Sequence, residues 1–138
     1  MKVLLLDDNK MNNLLLERLL LKINIPATST IRSVEALEFI EQAERDFEPF
    51  DLLFCDMIMP GNLDGFAVIK KIRQAEKLAV GKKEKSSKPL TIVALTALKS
   101  AKTEAKLQEL GCNFFLSKPI NKKVVEEIIA KVGAQTAA

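Results

Sequence analysis

Histidine, tryptophan and tyrosine are absent from the chain, and cysteine occurs only twice. Each shortage closes off a chemistry. Without histidine there is no imidazole metal ligand, no histidine-based catalytic triad and no phosphohistidine carried by the chain itself. Without tryptophan or tyrosine a flavin ring lacks its usual stacking partners, and the few glycines form no glycine-rich phosphate loop. Cys55 and Cys112 have no metal-type spacing, so both read as small apolar residues in a reducing compartment. No apolar run approaches the roughly eighteen residues of a membrane span. The opening "MKVLLLDDN" is too short and too acidic for a signal peptide. A cytosolic chain with one core is the expectation.

What is present is ordinary globular chemistry: 138 residues, 48% hydrophobic and 28% charged. The net charge of +3 is mild, and much of it sits in "GKKEKSSK" from Gly81 to Lys88. No aromatic residue is interleaved there and no DNA-binding motif accompanies it, so it reads as a solvated loop, with no nucleic-acid or membrane partner.

Short apolar runs alternate with helical periodicities. "KVLLL", "FDLLFCD" and "LTIVAL" suit strands buried on both faces, while "ATSTI" and "NFFL" are shorter candidates. Between them, Met11 to Ile23 carries Leu15, Leu19 and Leu20, with Asp8 or Asn9 able to cap its start. Ser33 is a candidate cap for "VEALEFIEQAE", and Phe66, Ile69 and Ile72 recur at helical spacing. "SAKTEAKLQEL" stops at Gly111, and "KKVVEEIIAKV" follows a Lys-Pro turn. Five strands alternating with five helices predict an α/β, doubly wound parallel sheet covered on both faces. The domain is expected over residues 1–132, with residues 133–138 a frayed tail.

Polar residues gather where strands end: Asp7 and Asp8 after the first, Asp56 at the third, Thr96 at the fourth, Ser117 and Lys118 at the fifth. In open α/β sheets these ends converge on one mouth. Three crowded carboxylates need a cation or raised pKa values to coexist, and an oxygen-only set suits Mg²⁺, which in turn favours phosphate oxygens. Lys118 offers a compact positive charge and Thr96 a hydroxyl; a carboxylate such as Asp56 can serve as nucleophile. Taken singly, each residue has a plainer explanation: an acid after a strand is often a cap or turn former, Lys-Pro is a common turn, and Thr96 could cap a helix.

These residues resemble the receiver domain of two-component response regulators. "LLLDDN" is similar to the family's opening acidic pair, "DLLFCDMIMP" to its phosphoacceptor strand, "VALTA" to its Thr/Ser-Ala step and "LSKPI" to its Lys-Pro, over about Lys2 to Val132. The resemblance implies a flavodoxin-like fold with strand order 2-1-3-4-5. It implies phosphorylation of Asp56 by a histidine kinase or histidine phosphotransfer protein. Asp8 and Asp56 would bind Mg²⁺ directly with the backbone carbonyl of Ile58, and Asp7 would act through water. Thr96 and Lys118 would engage the phosphoryl group, and Ala97 would leave room for the donor. Partner binding would change on the surface of the fourth helix, fifth strand and fifth helix.

Three departures stand out. "PGNLDG" is one residue longer than the family's P-x-M-D-G turn. Phe115 occupies a position often filled by Tyr or Phe, where it is either a core aromatic or a rotamer switch. The lengthened loop before the fourth strand, with "DDNxxN" at Asp7 to Asn12, resembles receivers of hybrid sensor kinases. Two other readings compete. An aspartyl-nucleophile phosphohydrolase lacks its second acid, because Ile58 stands two residues after Asp56. A non-phosphorylated interaction module is opposed by the complete set Asp7, Asp8, Asp56, Thr96 and Lys118. The expectation is therefore a phosphoacceptor and not an enzyme.

Overall fold

The computed structural model describes residues 1–61, 63–79, 88–97 and 100–136. Most of the Lys-rich loop, residues 81–87, lies outside them. The elements follow in strict alternation: β1 (Val3–Leu6), α1 (Lys10–Leu21), β2 (Ala27–Thr30), α2 (Ser33–Arg45), β3 (Leu52–Asp56), α3 (Gly65–Ala79), β4 (Thr91–Thr96), α4 (Ala101–Leu110), β5 (Phe114–Ser117) and α5 (Lys122–Thr136). The strands form one parallel sheet in the order β2-β1-β3-β4-β5.

Every residue of β1 and β3 is buried, as continuous apolar runs at the centre of a covered sheet require. Alternate strand residues face opposite layers. Leu4, Leu6, Leu53, Ile92 and Ala94 pack against α2, α3 and α4. Val3, Leu5, Phe54, Val93 and Leu95 pack against α1 and α5. Chain direction across the sheet reverses between β1 and β3, which opens a crevice at their carboxyl ends.

Local chemistry explains the helix ends. The Asn9 side chain accepts from the N–H groups of Met11 and Asn12 and so starts α1. Ser100 caps α4 by accepting from Thr103 N–H, and Gly111 ends it at φ 92 in the left-handed region. Ser33 does not cap α2: Arg32 holds the cap position, and Ser33, already helical, donates from Oγ to the Leu63 carbonyl at 2.7 Å. A hydroxyl expected to satisfy its own helix instead fastens the loop after β3. In α1 the buried stripe is Asn13, Leu16 and Leu20, while Leu15 faces outward. α5 continues past Val132 to Thr136, into the segment expected to fray.

The end of α4 is pinned from outside. Arg73 on α3 donates to the Gly111 carbonyl from Nε at 3.0 Å and Nη2 at 2.9 Å, and to Asn113 Oδ1 at 2.8 Å. The same Asn113 oxygen accepts from Ile92 N–H at 2.8 Å. Glu76, paired with Arg73 at 2.8 Å, accepts from Leu90 N–H. One guanidinium thus joins α3, the α4 terminus and the start of β4.

Candidate functional site

The crevice brings Asp7, Asp8 and Asp56 together, each offering a carboxylate oxygen within 4.8 Å of the others. Asp7 and Asp56 are only 3% and 4% exposed, whereas Asp8 is open to solvent. Lys118 arrives from the other side because its backbone N–H donates to the Thr96 carbonyl at 2.9 Å, extending the β4–β5 ladder by one residue. Its Nζ lies 3.2 Å from Asp7 Oδ2 and 3.3 Å from Asp56 Oδ2. The ammonium therefore bridges the two buried carboxylates.

Each carboxylate is also held by the chain. Asp7 accepts from Asn9 N–H at 2.9 Å and from Asn12 Nδ2 at 3.2 Å. Asp56 Oδ1 accepts from Ile58 N–H at 3.2 Å, and its Oδ2 faces Lys118. Beneath them, Asn13 Nδ2 donates to the carbonyls of Asp7 and Thr30, each at 3.1 Å. Asn13 fixes the turn that presents Asp7, and the sequence reading did not single it out. The available signal was a polar residue in helical phase with Leu16 and Leu20.

Burial is the main reason the Asp56 carboxyl sits above its usual pKa; Asp7 adds to the rise, and the Ile58 N–H and Lys118 oppose it. Burial works against the charged form of Lys118, but the carboxylates of Asp7 and Asp56 outweigh it and hold the ammonium above the usual lysine value. Cys55 is pushed far up, chiefly by burial, and remains a thiol. A carboxyl with a raised folded pKa contributes stability that is fully present below the unfolded value and lost as pH rises through the folded one. Melting in EDTA should accordingly show stability falling as pH climbs out of the ordinary carboxylate range, with the step missing in Asp56→Asn. A step of equal size in both proteins would assign it to other groups.

Ile58 and Met11 stand beside this mouth, 65% and 70% exposed. Thr96 closes β4, with Ala97 exposed directly after it. Phe115 pairs with Ala94 in the ladder and is partly buried in the layer of α2, α3 and α4. Between Thr96, Leu107 and Phe115 lies a void of about 10 Å³. That is the room of roughly one water. The longer turn after Pro60 is anchored at its far end, where Asp64 Oδ1 accepts from Ala67 N–H at 2.9 Å and begins α3.

Comparison with known proteins agrees with this geometry. Residues 3–130 match the family model for the response regulator receiver domain. The chain is 36% identical over 133 residues to hybrid signal transduction histidine kinase L of Dictyostelium discoideum, covering 96% of this chain and 7% of that protein. It is 35% identical over 130 residues to the sensor histidine kinase GacS of Pseudomonas protegens, covering 94% and 13% respectively. The chain thus spans only a small fraction of those relatives. Among solved structures, the Saccharomyces cerevisiae Ssk1 receiver domain, co-crystallised with the histidine phosphotransfer protein Ypd1, superposes with a TM-score of 0.88 at 31% identity, covering 100% of this chain and 92% of that one. Vibrio cholerae CheY4 shares the fold, with a TM-score of 0.77 at 22% identity over 95% and 97% of the two chains.

The chain belongs to the response regulator receiver domain family. Its homologues include the receivers of hybrid sensor histidine kinases. Such a domain is a phosphoacceptor signalling module rather than a true enzyme, and the acidic triad is of the kind typical of a metal site in that family.

Proposed function

We propose that Asp56 accepts a phosphoryl group from a phosphohistidine on a histidine kinase or histidine phosphotransfer protein, in a Mg²⁺-dependent reaction that switches partner binding. The observation that carries this reading is the setting of Asp56: a buried carboxylate, with Ile58 N–H on one oxygen and Lys118 on the other, beside two further acids. An Asp56 oxygen attacks phosphorus, the phosphorus–nitrogen bond breaks, and the departing imidazole keeps its electron pair and takes up a proton. Little covalent chemistry falls to the protein, so alignment and charge neutralisation dominate.

The donor set fits Mg²⁺: hard oxygens, no imidazole and no thiolate among the ligands. Asp8 and Asp56 would hold it with the Ile58 carbonyl, Asp7 would act through water, and its charge would offset that of the incoming phosphoryl oxygens. Lys118 then exchanges a carboxylate partner for a phosphoryl oxygen, while the Thr96 hydroxyl donates to another. Ala97 leaves space for the donor, and Met11 and Ile58 offer it an apolar rim. Thr96 moving inward enlarges the small void beside it and lets Phe115 follow. That changes the α4-β5-α5 surface presented to a downstream protein. The likeness to a receiver co-crystallised with a histidine phosphotransfer protein supports this class of partner.

Acetyl phosphate with Mg²⁺ should add one phosphoryl group as an acyl phosphate that hydroxylamine releases, and EDTA should prevent it. A hydroxylamine-stable product, or steady hydrolysis of a phosphate ester without a labelled protein, would overturn the reading.

A further inference from the structure

On the α1–α5 side of the sheet, directly behind Lys118, lies a cavity of about 300 Å³. Its floor is apolar and deep: Leu5, Leu16, Phe54 and Leu95, all buried, reach into the layer beneath α1. Its other end is polar, where Asp7, Asn12 and Lys118 meet. A concave space of this size, mostly apolar with a few convergent polar groups, is the usual form of a small-molecule site.

We propose that this cavity binds a small neutral molecule with an apolar body and one amide or hydroxyl head, and that its occupancy holds Lys118 against Asp7 and Asp56. Apolar surfaces of this kind hold water poorly, so filling them with hydrocarbon is favourable. Charge at the polar end selects against ions. An anionic head would meet the Asp7 carboxylate, and a cationic one the Lys118 ammonium. A neutral head has partners of both kinds. Lys118 carries three N–H donors, of which two point at Asp7 and Asp56, leaving the third for a ligand carbonyl or hydroxyl oxygen. Asn12 gives its amide N–H to Asp7 and retains a carbonyl oxygen for a ligand N–H or O–H.

The regulatory half of this inference rests on the phosphoacceptor reading. In that reaction Lys118 must turn from its carboxylates toward the phosphoryl oxygens, and a bound head group adds a hydrogen bond to the resting arrangement. Occupancy therefore slows phosphorylation without occupying the mouth in front of Asp56.

The test uses 4-ethylbenzamide as probe, followed by amide nitrogen–proton NMR on the full chain. Saturable shifts are expected at Leu5, Phe54, Leu95 and Lys118. Leu19→Phe and Ile120→Phe, which fill the cavity from two different walls, should each weaken binding. Two variants are needed so that one misfolded protein does not decide the result. At saturation, acetyl phosphate should label the native chain about tenfold more slowly, as expected when one charge-assisted hydrogen bond must be broken. Absence of saturable shifts overturns the site, as does undiminished binding in both folded variants. Shifts confined to the outward residues Met11 and Leu14 also overturn it, pointing to a protein surface instead. Binding with an unchanged labelling rate overturns the regulatory half alone. A chain that is never labelled fails the phosphoacceptor reading, while the NMR titration still reports on the cavity.

Discussion

Asp56→Asn takes up no phosphoryl group from acetyl phosphate and Mg²⁺, and in EDTA the same variant melts higher than the native chain. The first result follows from nucleophilicity: a carboxamide has no anionic oxygen to attack phosphorus. Neither neighbour substitutes for it. Asp7 is engaged by Asn9, Asn12 and Lys118, and Asp8 is solvated at the edge of the cluster. The second result follows from the raised pKa. Burial raises the cost of the charged form of this side chain relative to water, and asparagine supplies a neutral isostere whose carbonyl oxygen can still accept from Ile58 N–H. Lys118 keeps Asp7 as a partner. A rise of ~4 °C is the expected scale for relieving one such group in a domain of this length. Mg²⁺ should then raise the melting temperature of the native chain and have little effect on the variant. Labelling that survives the substitution would remove Asp56 as the acceptor, and a lower melting temperature would show that the Lys118 pair outweighs the burial penalty.

Gly65→Ala lowers stability by about 3 kcal/mol, the upper range for an overpacked site, and slows labelling roughly a hundredfold by displacing the acceptor. Gly65 opens α3 against the back of β3, with its N–H donating to the Met57 carbonyl at 3.1 Å. A Cβ there would stand 2.6 Å from the Met57 Cα and press on the Asp56 carbonyl oxygen. Both obstacles are backbone, so no side-chain rotation relieves them. Either α3 or the Asp56–Ile58 turn has to shift. Thermal melting and the labelling rate together check this, and a variant that retains both native values would show that the turn after β3 yields freely.

Central strands and site acids were legible because their signals are one-dimensional. "VLLL" and "LLFCD" have to be buried on both faces, and an acid at the end of such a run has to emerge where the sheet opens. Strand ends far apart in sequence therefore converged as expected on Asp7, Asp8, Asp56 and Lys118. What escaped was hydrogen bonding whose partner lies in another element. Ser33 has the sequence context of a cap, and only the nearby passage of Leu63 turns it into a loop tie. Asn13 looks like one more polar residue of a helix start until β2 brings Thr30 beneath it. The buried phase of α1 is left open by the sequence for a related reason. A run of six leucines among eight residues from Leu14 to Leu21 leaves several stripes equally apolar, so the packing partner selects among them. The roles given to Thr96, Ala97 and Phe115 came from family resemblance, since nothing in residue type or spacing distinguishes a switch from ordinary packing.

The clamp of Arg73 on Gly111 gives α4 a carboxyl end held from outside the helix. Arg73 holds that end through the Gly111 carbonyl, and an alanine there would bring a Cβ to 3.2 Å from the guanidinium Nε. At the opposite end the Ser100 side chain accepts from Thr103 N–H, a bond within the helix's own first turn. A helix of 10 residues is about 15 Å long, so a tilt of about 10° about the fixed end carries the free end about 2.6 Å. On the proposed switch, travel would be greatest at the end beside Thr96 and least at the end that Arg73 holds.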